Sequence, residues 1–252
     1  MKVVVAQSAG FCWGVRRAVE TARKTAESSG QTVYTDGPLI HNSHMVKRLE
    51  AGGVRECNDP ASLPPDSTLI VRAHGIPPDH RHYLETLPLN LVDATCPDVA
   101  RIQRIIRENT DQNKTVLILG DPGHAEVVGL LGYAGSRGRV VTSPRDVESL
   151  PEDLEGVCLV SQSTQAQQLF DDTAKAVLTR YPGATIIRTI CNATRNRQAE
   201  LEILASQCDA FVVVGSKASA NTQRLAQIAA TLKPTFVVDA ADELRPEDFT
   251  SF

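Results

Sequence analysis

Cysteine is scarce in this 252-residue chain: there are six, and no two form a CxxC pair. That removes zinc ribbons, zinc fingers and thioredoxin-like redox motifs, and six scattered thiols do not make a disulfide scaffold. Long apolar runs are missing as well. The longest, such as residues 3–6 and 210–215, fall far short of the ~20 residues needed to span a bilayer. The N-terminus does not read as a signal peptide, because Met1 and Lys2 lead into a short strand-like run and then polar Gln7 and Ser8. A cytoplasmic protein with reduced thiols and no membrane partner is expected. Basic excess is absent too: the formal net charge is -4, so nucleic acid is not an expected partner. Phosphate-binding nucleotide loops are lacking, since the GSK at 215–217 has no Walker spacing and no GxGxxG follows a strand.

What is present is an ordinary globular composition, 42% hydrophobic and 22% charged. Short apolar runs alternate with amphipathic stretches along the whole chain, the pattern of an α/β protein with largely parallel sheets. Within it lies a weak internal repeat. VVVAQSAGFC closes on Cys12, LNLVDATC on Cys96 and ATIIRTIC on Cys191, and each is followed at once by a helical pattern. Val15, Ala18, Val19 and Ala22 fall on one helical face, as do Val99, Ile102, Ile105 and Ile106. Pro97 suits a first helical position.

A cysteine between a parallel strand and a helix sits where α/β folds place ligands, with helix N-terminal amides that favour the thiolate. If three such units pack around a pseudo-threefold axis, three thiolates share one space. Soft thiolates without a neighbouring pair suit a four-iron cluster better than zinc, and three ligands for four irons leave one iron open to substrate. The competing reading is that the cysteines are small buried core residues. Cys57, Cys158 and Cys208 lack the strand-cysteine-helix context and are assigned to structure.

His41, His74 and His124 each end a strand-like run beside small residues, and together they could bind a diphosphate or another multiply charged anion, as protonated or as hydrogen-bonding imidazoles. His44, His80 and His82 read as exposed. Glu126 lies two residues beyond His124, where confinement near anions would raise its pKa and make it a proton donor; a helix N-terminal acid is the alternative. The hydroxyls of SQST at 161–164 and of SKASAN at 216–221 could serve a site or simply cap helices.

These residues resemble a known family, the 4-hydroxy-3-methylbut-2-enyl diphosphate reductases, or LytB/IspH enzymes, of isoprenoid synthesis. The motifs are GFCWGV at 10–15, IHN at 40–42, AHG at 73–75, DATCP at 93–97, GHAE at 123–126, SQST at 161–164, IC at 190–191 with TRNRQ at 194–198, and VGSKASAN at 214–221. The resemblance implies three α/β lobes, over 14–96, 97–191 and 192–252, with the N-terminal strand within 1–13 joining the third. It implies that Cys12, Cys96 and Cys191 hold a 4Fe-4S cluster and that the open iron takes the substrate hydroxyl. It places Glu126 on the proton path, Ser163 beside that hydroxyl, and His41, His74, His124, Ser219 and Asn221 around the diphosphate. Electrons would come from a ferredoxin or a flavodoxin, since nothing here binds nicotinamide or flavin. Ser163 stands where the family usually has threonine, Ala220 replaces a serine, and the sequence ends at Phe252, ahead of the family's usual closing segment.

The expected activity is therefore reductive dehydroxylation of the allylic diphosphate to isopentenyl and dimethylallyl diphosphate. A cluster-binding homologue with altered or lost catalysis, such as a redox sensor or a reductase of another anion, is the second reading. A metal-free anion-binding module is the third.

Overall fold

The computed structural model describes residues 2–250. Two four-stranded parallel sheets and a smaller two-stranded parallel sheet follow one another along the chain. The first region contains α1 (Trp13–Ser29), β1 (Val33–Asp36), α2 (Ser43–Ala51), β2 (Val54–Cys57), β3 (Thr68–Val71), α3 (Pro78–Thr86) and β4 (Asn90–Asp93). The second contains α4 (Pro97–Asp111), β5 (Val116–Leu119), α5 (Ala125–Ala134), β6 (Gly138–Val141), α6 (Pro144–Glu148), β7 (Cys158–Ser161), α7 (Gln167–Arg180) and β8 (Thr185–Ile186). The third contains α8 (Asn192–Ala205), β9 (Phe211–Val214), α9 (Ala220–Leu232) and β10 (Thr235–Val238).

Strand order repeats. The first sheet runs β2-β1-β3-β4 and the second β6-β5-β7-β8, the same permutation, and β10-β9 reproduces its first step. Every pairing is parallel. The central strands β5 and β7 are buried along their whole length, as strands covered by helices on both faces must be. Leu117, Leu119 and Leu159 pack under α6 and α7 with Phe170 and Val177. On the opposite face Ile118, Val116 and Val160 meet Ile102 and Ile106 of α4 and Val127 and Leu130 of α5. The alanine stripe of α1, Ala18, Ala22 and Ala26, lets that helix lie close on the first sheet against Val33 and Ile70.

The N-terminal run departs from expectation. Residues 3–6 form no strand, and Val3 and Val5 are each 75% exposed. The segment instead docks on α8 through polar contacts. The backbone N–H groups of Gln7 and Ser8 donate to the Glu200 carboxylate at 2.5 and 2.9 Å, and Arg197 donates to the carbonyls of Ser8 and Gly10 at 3.1 and 2.7 Å. Residues 3–6 have no neighbouring strand and so no ladder to join, and it is the backbone of residues 7–10 that the carboxylate and guanidinium on α8 hold.

Helix α5 approaches the turn before α3 because it carries glycine on the contact face. A Cβ at Gly132 would lie 2.6 Å from Pro77 Cβ and 3.2 Å from its Cα. Replacing Gly132 by Val should therefore force α5 away from that rigid proline and cost ~1–3 kcal/mol, read as a lower midpoint in denaturant unfolding. An unchanged midpoint would mean the two elements can separate without loss.

Candidate functional site

Each of the three repeat cysteines is the N-cap of a helix: Cys12 of α1, Cys96 of α4 and Cys191 of α8. The sulfur of Cys12 accepts from Val15 N–H at 3.5 Å and that of Cys191 from Thr194 N–H at 3.4 Å. A Cβ at Gly14 would lie 2.5 Å from the Cys96 sulfur and 4.0 Å from that of Cys12, so the two sulfurs flank one glycine. The charge of Cys12 is felt at both Cys96 and Cys191. Cys12 and Cys96 are thus neighbours, and Cys191 lies near enough to Cys12 to interact with it electrostatically. Among the described residues, the set of side chains close enough to share a single metal ion is a trio of histidines and contains no cysteine. Soft sulfur donors that are near one another yet are not placed to share one ion suit a polynuclear group, and the donor set could hold an iron-sulfur cluster.

The helix amides act on these thiols in the expected direction, but not strongly enough. Burial outweighs the helix amides, pushing the Cys96 thiol up to about 11 and raising that of Cys191 as well. Amide dipoles alone do not make these groups thiolates; iron, as a positive partner, would.

The histidines also converge. The rings of His41 and His74 are 4.6 Å apart, those of His74 and His124 5.4 Å, and those of His41 and His124 5.9 Å. His41 follows β1 and His74 follows β3, the adjacent strands between which the first sheet reverses its order; His124 follows β5, at the equivalent point of the second. Crevices at such reversals are where open α/β sheets bind ligands. His124 caps α5, its Nδ1 accepting from Glu126 N–H at 3.1 Å, so in the neutral ring the proton sits on Nε2. His74 is pushed down to about 3 by burial, then by the charges of His41, His124 and Arg72; His41 and His124 are lowered mainly by burial. Of the two ways such rings bind an anion, the structure favours neutral hydrogen-bonding imidazoles over resident imidazolium ions.

Glu126 lies in the first turn of α5 and is 2% exposed. Its two oxygens accept from Ser163, from the backbone N–H at 2.6 Å and from the hydroxyl at 2.7 Å. Burial outweighs these bonds and raises its pKa to about 7. Glu126 is thus a helix N-terminal acid, and its pKa is raised as expected, though by burial rather than mainly by neighbouring anions. Ser163 also ties this pair to the thiols, because its carbonyl accepts from Cys191 N–H at 2.9 Å.

Ser219 and Asn221 are less directly placed. Ser219 caps α9, accepting from Thr222 N–H at 3.4 Å, and Asn221 lies in that helix's first turn. What links this end of α9 to the histidines is a contact the sequence did not disclose. Arg224 donates to both carboxylate oxygens of Asp121, at 3.0 and 3.3 Å, three residues before His124. His80 also differs from expectation, since it pairs with the buried Asp36 at 3.0 Å. Cys57 is the buried last residue of β2, Cys158 lies in the core, and Cys208 follows α8 half-buried.

Comparison with known proteins agrees with this geometry. The model of the LytB protein family matches residues 3–252. The 4-hydroxy-3-methylbut-2-enyl diphosphate reductase of Opitutus terrae is 42% identical over the whole of this chain and 91% of its own length; that of Aquifex aeolicus is 37% identical over 98% of this chain and 86% of its own. Among solved structures, the E-1-hydroxy-2-methyl-but-2-enyl-4-diphosphate reductase of Plasmodium falciparum superimposes with a TM-score of 0.90 at 28% identity, covering 95% of this chain and 76% of that one. An (E)-4-hydroxy-3-methyl-but-2-enyl diphosphate reductase described as the terminal enzyme of the non-mevalonate pathway gives 0.74 at 36% identity, covering 98% and 89%. The chain belongs to the LytB family.

Gly14 should be the tightest constraint on the thiols. Gly14→Ala places a methyl group against the Cys96 sulfur, so iron bound per chain after anaerobic reconstitution should fall while the far-ultraviolet circular dichroism is retained. Wild-type iron in that variant would show that the sulfurs have room to spare.

Proposed function

We infer that the chain is a 4-hydroxy-3-methylbut-2-enyl diphosphate reductase, an enzyme of isoprenoid synthesis by the non-mevalonate route. It reductively removes the allylic hydroxyl to give isopentenyl and dimethylallyl diphosphate, consuming two electrons and two protons and releasing the oxygen as water. The observation that carries the reading is a tight histidine cluster beside a buried carboxyl of raised pKa, with Cys12 and Cys96 flanking one glycine and Cys191 bonded to the serine that holds that carboxyl, in a chain 42% identical along its whole length to a named reductase.

In this proposal Cys12, Cys96 and Cys191 would hold a 4Fe-4S cluster, which when bound supplies electrons and a Lewis-acidic iron. His41, His74 and His124 grip the diphosphate as neutral donors, with the Nε2–H of His124 directed by the bond its Nδ1 already makes. Glu126 supplies a proton to the departing oxygen, and Ser163 both orients that carboxyl and offers its hydroxyl to the substrate's own. Ser219 and Asn221 contact the diphosphate from the end of α9, brought there by the Arg224–Asp121 pair. A low-potential one-electron carrier, ferredoxin or flavodoxin, delivers the electrons. Among the described residues, no helix is long and apolar enough to cross a membrane.

Turnover of the allylic diphosphate by anaerobically purified protein with dithionite-reduced methyl viologen tests the reading; an iron-loaded protein that leaves the substrate intact would overturn it. Two outcomes are expected beyond that. Cys96→Ser should lose most of its iron, and an iron content equal to wild type would remove Cys96 from the ligand set. Glu126→Gln should keep its iron and lose at least ~100-fold in kcat, the ordinary contribution of a positioned acid. A raised carboxyl donates only while protonated, so the proton-dependent step should slow as pH climbs through about 7. A kcat indifferent to both the substitution and pH would exclude Glu126 as the donor.

A further inference from the structure

Arg72 stands just after β3 and two residues before His74, and the sequence motifs assign it nothing. Its guanidinium runs past the turn at Gly37, where φ is +71° and an added Cβ would lie 3.1 Å from Nη1. Its Nε is buried without a hydrogen-bond partner, and among the described residues no carboxylate pairs with the side chain. A second buried atom without a partner, Nδ1 of His74, belongs to the same pocket. The charge of Arg72 also acts on His41, His74 and His124 alike, so the guanidinium is near enough to the cluster to influence all three rings.

A half-buried cation with no counter-ion is costly, and guanidinium cannot shed its proton to escape that cost. The other charges at the cluster are partial compensation at most: Glu56 acts on His41 and Asp121 on His124, and Asp121 is already paired with Arg224. Three imidazoles with nitrogens within 4.8 Å of one another would also suit a divalent cation, but a fixed positive charge beside them selects for an anion.

We propose that Arg72 is the resident cation of the diphosphate pocket, its planar fork binding a phosphoryl oxygen that the three histidines hold from the other side. The proposal rests on the reductase reading for the identity of the ligand, while the anion site itself rests on the geometry alone. A guanidinium offers paired N–H donors matched to phosphate, which a set of neutral imidazoles does not replace.

The test uses reconstituted holoenzyme, dithionite-reduced methyl viologen as electron source, and inorganic pyrophosphate as probe, its binding read by calorimetry as well as by inhibition. Arg72→Met should raise the substrate KM and the pyrophosphate dissociation constant together by roughly 10- to 100-fold, with a much smaller change in kcat. Wild-type values for both, or a loss confined to kcat, would overturn the proposal. Should that variant fail to fold, Arg72→Lys carries the test: a point charge without the fork should still weaken pyrophosphate several-fold, and unchanged affinity would overturn it. If wild-type protein binds pyrophosphate in an Arg72-dependent way but does not turn over the allylic diphosphate, the reductase reading fails and the anion site stands.

Discussion

A parallel strand hands the chain to a helix whose first N–H groups have no partner within the helix, so each strand-to-helix turn is a polar pocket with a positive field. Two four-stranded sheets with the same strand order send such turns into one space, and the site follows from that constraint. Where the order reverses, between β1 and β3 and again between β5 and β7, the turns carry His41, His74, His124 and Ser163. Where each sheet ends, after β4 and β8, they carry Cys96 and Cys191. Position within the repeat thus separates two donor sets: the crevices carry the imidazoles and the Glu126–Ser163 pair, and the terminal turns carry thiols. Ser163 joins them, with its carbonyl on Cys191 and its hydroxyl and N–H on Glu126.

Burial then decides the charge state of nearly every group. It raises two cysteines and Glu126 and lowers three histidines, in each case toward the neutral form. Neutral side chains can be desolvated at modest cost, so the cavity does not demand ligands in order to fold. Ligands in turn enter a site where electrostatic interactions are strong, because little water remains to screen them. A metal beside the thiols would favour thiolate, whereas the imidazoles, held neutral by burial and by the charge of Arg72, can meet an anion as hydrogen-bond donors.

Much of this was legible in the sequence, for physical reasons that differ by element. Strands such as VLIL at 116–119 are buried on both faces and show as unbroken apolar runs. β1, VYTD, and β2, VREC, include polar residues within four positions and give no such run, so the first sheet was only half visible. The signal of helix α5 was weakened by Gly129 and Gly132, which lower helix propensity, and close approach to Pro77 requires the second of them. The cysteines and histidines were found because strand, ligand residue and helix recur in sequence. Arg72 and Arg224 were not, because an arginine carries no such local signature and its meaning depends on what lies across the fold.

The third region shows what happens when the repeat is shortened. With two strands it builds a small apolar cluster of Leu201, Phe211 and Ala229, separate from those of the larger sheets, and leaves Val212 and Val214 exposed. Polar contacts join it to the rest: Glu200 and Arg197 hold residues 7–10, which lead to Cys12, Arg224 holds Asp121, which leads to His124, and Gln198 bonds the Gln167 N–H and the Gln165 carbonyl, just beyond Ser163. Each contact therefore attaches the region through a segment that carries a site residue. Hydrogen bonds to charged groups are directional, whereas apolar burial is not, so these contacts fix orientation where a small core could not. The placement of Ser219 and Asn221 relative to the histidines is accordingly set by charged side chains several residues away from them.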